Sequence, residues 1–218
     1  MSDNWKRDFE ERLRAFDWAR VNNAFGPATN VPDELMRFAQ IGDGDAGLVM
    51  NDFFYTDLTH QQTRYTATLE VVPFLVELLE HLPLQRPFLI HYLVDIALGE
   101  SSWHYPAGFR LERACGAYMT EELTTQLAAR VQDLAFPLFL RFANEDDDPK
   151  TQILASWALS WFPAREAESR PLLETSSASI ALFALRMLDA SHQPLQLRSE
   201  EEEEADFETY EEFLSDLF

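Results

Sequence analysis

Apolar residues recur along this chain at three- and four-residue steps rather than in alternation, and that spacing predicts helices. Asn4 is placed to cap a first helix with Trp5, Phe9, Leu13 and Phe16 on one face. Residues 67–82 carry Leu69, Val71, Val72, Phe74, Leu75, Val76, Leu78, Leu79 and Leu82, relieved only by a stripe of Glu70, Glu77 and Glu80. Residues 86–98, 133–143, 151–162 and 178–189 are apolar around most of their circumference. Helices dressed in this way need cover on several sides. Seven glycines leave little room for hairpins, and no Asn-Gly or Gly-Gly turn separates alternating runs. The expected class is all-α, built of layered helix pairs.

The prolines suggest a repeat. Four segments start with X-Pro and continue apolar: Val31-Pro32, Val72-Pro73, Phe136-Pro137 and Arg170-Pro171. Proline is tolerated in a first helical turn, where its missing N–H would have no partner. Breaks follow at Ile41–Asp45, Leu82–Arg86, Asn144–Pro149 and Glu174–Ser177, and second apolar helices over 45–58, 86–98, 150–162 and 178–189. The proline spacings of 41, 64 and 34 residues make 100–130 an insertion or a degenerate repeat. Irregular helix pairs of this length are the mark of an α-solenoid, here of about four pairs. The alternative is an irregular helical domain with unrelated prolines.

Two resemblances add to this reading. Asp148–Leu159, with an acid and proline in the turn and Ala155 and Ala158 at the crossing, resembles the second helix of a HEAT repeat, although Thr151 and Gln152 stand where such repeats usually carry arginine. Trp18–Val21, Ala24–Ala28, Val31-Pro32 with Leu35, Thr59–Thr68 and Val72–Leu75 with Leu78 and Leu79 together are similar to a bacterial group of HEAT-repeat proteins. Members of that group carry an HQG-type turn before an AVPFL helix; here Gln62 replaces the glycine. The resemblance implies an interaction module, and some such proteins resemble immunity proteins encoded beside polymorphic toxins.

Charge narrows the partners. The chain of 218 residues has 17 Lys+Arg against 38 Asp+Glu, a net charge of −21. Such a surface repels phosphate backbones and anionic lipid, so direct nucleic-acid and membrane binding are not expected. No apolar run approaches the roughly 20 residues that span a bilayer. The start lacks the apolar stretch of a secretory signal, and a single cysteine, Cys115, excludes an internal disulfide, so a cytoplasmic location is expected. Residues 199–218 hold ten acids and no Lys or Arg, and without them 28 acids still face 17 bases. The chain therefore divides into a helical domain over 1–198 and an acidic tail over 199–218. Phe207, Tyr210, Phe213 or Leu214, and Leu217 recur in that tail at helical spacing.

Catalytic signatures are sparse. His91 and Asp95 share a helix face, and Glu100 precedes His104 by four residues. Metal ligation or acid–base work would suit those types, but neither HExxH nor a second helical His pair accompanies them. A hydrogen-bonded polar stripe is the simpler reading, and His60 is expected to fasten its turn to a neighbouring helix. GxSxG, GxxxxGK[ST] and GxGxxG are missing, and Gly42–Asp45 lacks the distal glutamate of a calcium loop. Neither a catalytic residue nor a metal nor a cofactor is assigned.

The second helices of a solenoid line its concave side, so their polar stripes are the candidate contact surface. These are Asp52, Tyr55 and Thr59; His91 and Asp95; Gln152, Ser156 and Ser160; and Arg186 and Asp189. Glu100–Tyr105 adds Trp103, His104 and Tyr105, whose aromatics either anchor a partner or pack the insertion. Asp146 and Asp147 mark an acidic turn, and Phe207 and Tyr210 either join the contact or dock on the chain's own core. The expected function is an immunity protein that occludes a basic toxin domain, a nuclease or another enzyme acting on nucleic acid. A general adaptor, and a hydrolase or lyase using His91, Asp95 and His104, are the alternatives.

Overall fold

The computed structural model describes residues 4–41, 50–60, 63–98, 121–176 and 179–191. They are mostly helical. Helix α1 (Asn4–Ala15) buries Phe9 and Leu13. Its end is fastened by Trp18, whose indole N–H donates to the Leu13 carbonyl at 2.7 Å. Helix α2 (Val31–Gln40) opens with Pro32 in its first turn, as the sequence predicts. Met50–Leu58 winds as a π-helix and buries Phe53 and Phe54. The scarcity of glycine does not exclude hairpins altogether: β1 (Asn22–Asn23) pairs with β2 (Gly26–Pro27), and β3 (Thr59–His60) with β4 (Thr63–Arg64).

The larger helices follow in pairs. Helix α3 (Thr66–His81) turns through Pro83–Gln85 into α4 (Arg86–Leu98). Helix α5 (Glu121–Glu145) turns at 146–148 into α6 (Pro149–Leu159), and α7 (Glu166–Thr175) is followed by α8 (Ser179–Ser191). Each helix of a pair packs on its mate; α3 also packs on α5, α4 on α5 and α6, and α6 on α8. The apolar positions explain this. Leu127, Val131, Ala135, Phe136, Phe139 and Phe142 form one buried stripe on α5, while α4 and α6 are buried nearly all round.

Three of the four proline positions need correction. Pro73, Pro137 and Pro171 lie inside α3, α5 and α7, not at their starts. A proline in mid-helix removes the donor for the carbonyl four residues earlier. In α3 that carbonyl belongs to Leu69, and it accepts instead from Arg130 Nη1 of α5 at 2.9 Å. The proposed irregular region over 100–130 is also shortened, because Glu121–Arg130 is the first part of α5.

The glutamate stripe of α3 is where neighbouring helices attach. Glu77 takes Arg12 of α1, Glu70 takes Arg130 at 3.0 Å, and Glu80 takes Arg141 at 3.1 Å, both from α5. The turns are tied as well. Arg86 donates to the carbonyls of Leu79 and Glu80 at the end of α3 and to Asp146 Oδ2 at 2.6 Å, its guanidinium lying over the Phe142 ring at 4.3 Å. The buried Arg64 donates to the Ile96 carbonyl in the last turn of α4 at 2.6 Å, which suits the negative end of that helix.

Candidate functional site

Three polar residues predicted separately come together. His91 and Asp95 are one turn apart on α4, and Tyr55 reaches them from the π-helix. The Tyr55 hydroxyl donates to Asp95 Oδ2 at 3.1 Å and lies 3.2 Å from His91 Nδ1, which is itself 3.3 Å from Asp95 Oδ2. A carboxylate only accepts, so Tyr55 and a His91 Nδ1–H both aim at the same oxygen. The His91 ring stacks on the Trp157 indole of α6, with centroids 5.6 Å apart and planes within 9°. Beneath lies Tyr92, wholly buried, donating to the Phe54 carbonyl at 3.1 Å; burial pushes its phenol well above the ordinary range. The cluster joins the π-helix, α4 and α6 in one polar knot.

The knot is a packing element, which corrects the expectation that His91 and Asp95 face a partner. His91 is buried and the Asp95 side chain nearly so. Hydroxyls of the other stripes turn inward as well, because a short side chain can bond a nearby backbone carbonyl. Ser156 and Ser160 donate to the carbonyls of Gln152 and Trp157, and Thr59 to that of Phe54. Gln152 donates to the Asp146 carbonyl at 2.5 Å. Asp146 is corrected too, since its side chain is 5% exposed and paired with Arg86. Asp148 caps α6 by accepting from the Thr151 N–H at 3.0 Å. Asp52, Asp147, Arg186 and Asp189 are exposed, and Tyr55 half-buried. His60 meets Phe25 of the first hairpin, with ring centroids 6.0 Å apart. Glu100, Trp103, His104, Tyr105, Phe207 and Tyr210 lie outside the described residues, as does Cys115.

Sequence reasoning missed the arginines. The chain has 15 Arg and two Lys, Lys6 and Lys150, and that bias is the signal that was present. Ten of the twelve arginines among the described residues lie within ion-pair distance of a carboxylate. Arg170 bonds Asp189 and Glu166, both at 2.5 Å, and these hold its guanidinium above the usual arginine range. Arg165 holds the Glu168 carboxyl below its usual range by hydrogen bonding. The cations are thus engaged by the chain's own acids.

Among the described residues, no three His, Cys, Asp or Glu side chains are grouped to hold a metal ion. No helix among them is long and apolar enough to cross a membrane. Comparison of the chain with protein-family models, with curated proteins and with solved structures finds no match.

Proposed function

We propose that the chain is an inhibitor of the immunity type, a HEAT-like α-solenoid acting in the cytoplasm by gripping a basic toxin domain rather than by turnover. The observation that carries this reading is the fate of its cations. Ten arginines among the described residues already face the chain's own carboxylates, and the charge that remains over the whole chain is −21. Such a field can raise the encounter rate with a cationic protein by about 10- to 1,000-fold and discriminate against nucleic acid.

The helix packing favours the solenoid part of the proposal. Helix α3 packs on α5, and α4 on α6 and α6 on α8, a neighbour pattern that stacked helix pairs would give. In this reading Asp52 and Asp147, both exposed, belong to the contact surface. The bound domain, a nuclease or another enzyme acting on nucleic acid, would lose its active face over about 1,600 Å² of buried surface.

Co-expression with the product of the adjacent gene tests the proposal. Rescue of growth, together with an association rate that falls steeply from about 0.05 to 0.5 M salt, is the expected result. Failure to rescue refutes the immunity role, and binding without rescue points to an adaptor.

A further inference from the structure

Two arginines among the described residues have no carboxylate partner there, Arg64 and Arg186. Arg64 is buried and spends its guanidinium on the Ile96 carbonyl and the Thr124 hydroxyl. Arg186 is different: it is exposed on α8 and meets no acid among the described residues. Positions 182, 186 and 189 follow at steps of four and three, so they share one face of that helix. Leu182 is 57% exposed there, and Leu185 at the edge is half-buried. Asp189 is already held by Arg170 of α7. The other faces of α8 are used: Ala181, Ala184 and Leu188 pack with Leu173 of α7, and Ile180 and Met187 join the main core. A single exposed leucine means little by itself. One helical turn from an arginine without an acid, it makes a patch that is both apolar and cationic, on a chain of net charge −21.

The sequence supplies a segment of matching chemistry close by. Residues 199–218, outside the described residues, hold ten acids and no Lys or Arg. Phe207, Tyr210, Leu214 and Leu217 follow at steps of three, four and three, the spacing of one helix face, with Asp206, Glu208, Glu211 and Glu212 among them. Such a stripe suits Leu182 and Leu185, and its flanking carboxylates suit Arg186. Residues 192–206 join α8 to it. Extended chain covers about 3.3 Å per residue, ample to turn back along α8, whose 13 residues span about 20 Å. A flexible tether of this kind holds the segment at about millimolar effective concentration, so a weak contact suffices. Residues 1–198 carry 28 acids against 17 bases, so charge does not draw the tail to the body at large.

We infer that the acidic tail of this same chain docks on the outward face of α8 as an end cap, its apolar stripe on Leu182 and Leu185 and a carboxylate on Arg186. The inference stands apart from the immunity role, which rests on rescue. Arg186→Lys keeps the charge and supplies an amine. A water-soluble carbodiimide then condenses that amine with a carboxylate in salt-bridge contact, forming an amide while the reagent takes up the water and leaves as its urea. With the full chain at about 0.15 M salt, mass spectrometry of the digested monomer should find position 186 linked to an acid between Asp206 and Asp216. Arg20→Lys, at an arginine 82% exposed, is the reference and should give no linkage to the tail. Leu182→Ser, and separately Tyr210→Ser with Leu214→Ser, should each cut the yield about 5-fold by removing apolar burial. Tail linkage no greater than from position 20, or a yield indifferent to both sets of serine substitutions, would overturn the cap. So would linkage found only between chains, which would make a second copy the occupant.

Discussion

Replacing Arg130 with methionine tests whether the proline inside α3 is compensated from the neighbouring helix. Pro73 leaves the Leu69 carbonyl without its intrahelical donor, and Arg130 Nη1 supplies one at 2.9 Å while also meeting Glu70 Oε2 at 3.0 Å. A hydrogen bond from a charged group contributes about 1.5–3 kcal/mol in a buried setting. The Arg130 and Glu70 side chains are 35% and 30% exposed, so the ion-pair part is discounted to well under 1 kcal/mol. Arg130→Met should then cost about 1.5 kcal/mol, mostly through the orphaned carbonyl. Pro73→Ala returns an N–H to that carbonyl at an exposed position and should stabilise by about 1 kcal/mol. In the Pro73→Ala background Arg130→Met should cost only about 0.5 kcal/mol, a coupling of about 1 kcal/mol. Urea unfolding followed by circular dichroism measures all four chains. A coupling near zero would refute the compensation and make Arg130 an ordinary surface ion-pair residue.

Two further outcomes follow from the buried polar contacts. Arg86→Met strands the Asp146 carboxylate and should cost about 3 kcal/mol at neutral pH in the same urea assay, with part of the loss recovered by adding Asp146→Asn. A loss under 1 kcal/mol would show that the tie between the two turns is dispensable. Tyr92 gives an alkaline signature: burial raises its phenol above the ordinary value of 10.0, so the folded chain keeps a proton that the unfolded chain loses. Its contribution is intact below pH 10 and falls as pH rises above it, by up to about 1.4 kcal/mol per unit. Tyr92→Phe should therefore flatten the decline of thermal midpoint between pH 10 and 12, and an unchanged slope would contradict the assignment.

The helices were legible because their signal is local. Residues 86–98, predicted from a continuous apolar circumference, match α4 to the residue, and 151–162 and 178–189 fall within two or three residues of α6 and α8. Proline was the misleading element. Its first-turn preference concerns only the missing N–H, so a carbonyl rescued from another helix escapes sequence inspection. Arg130 lies 61 residues from the Leu69 carbonyl it satisfies. The site failed for a related reason. Polar spacing on α4 revealed that His91 and Asp95 share a face, but not that Tyr55 and Trp157 cover it. Ser156 and Ser160 read as a polar stripe until their hydroxyls are seen to bond the backbone behind them.

The preference for arginine over lysine ties the fold to the proposed function. A lysine ammonium is a point charge, whereas a guanidinium presents a planar fork that meets several acceptors at once. Arg86 uses that fork to reach two carbonyls, a carboxylate and a ring, and Arg170 to reach carboxylates on both α7 and α8. A cation so engaged holds helices together and adds little to the outward field. Lysines in the same number would leave the net charge at −21 but could not bridge several acceptors at once, so arginine lets one chain be both internally bridged and acidic overall. Charge of this kind speeds encounter with any basic surface and selects poorly among them. Selection then has to come from shaped contacts that penalise the wrong partner as well as fit the right one.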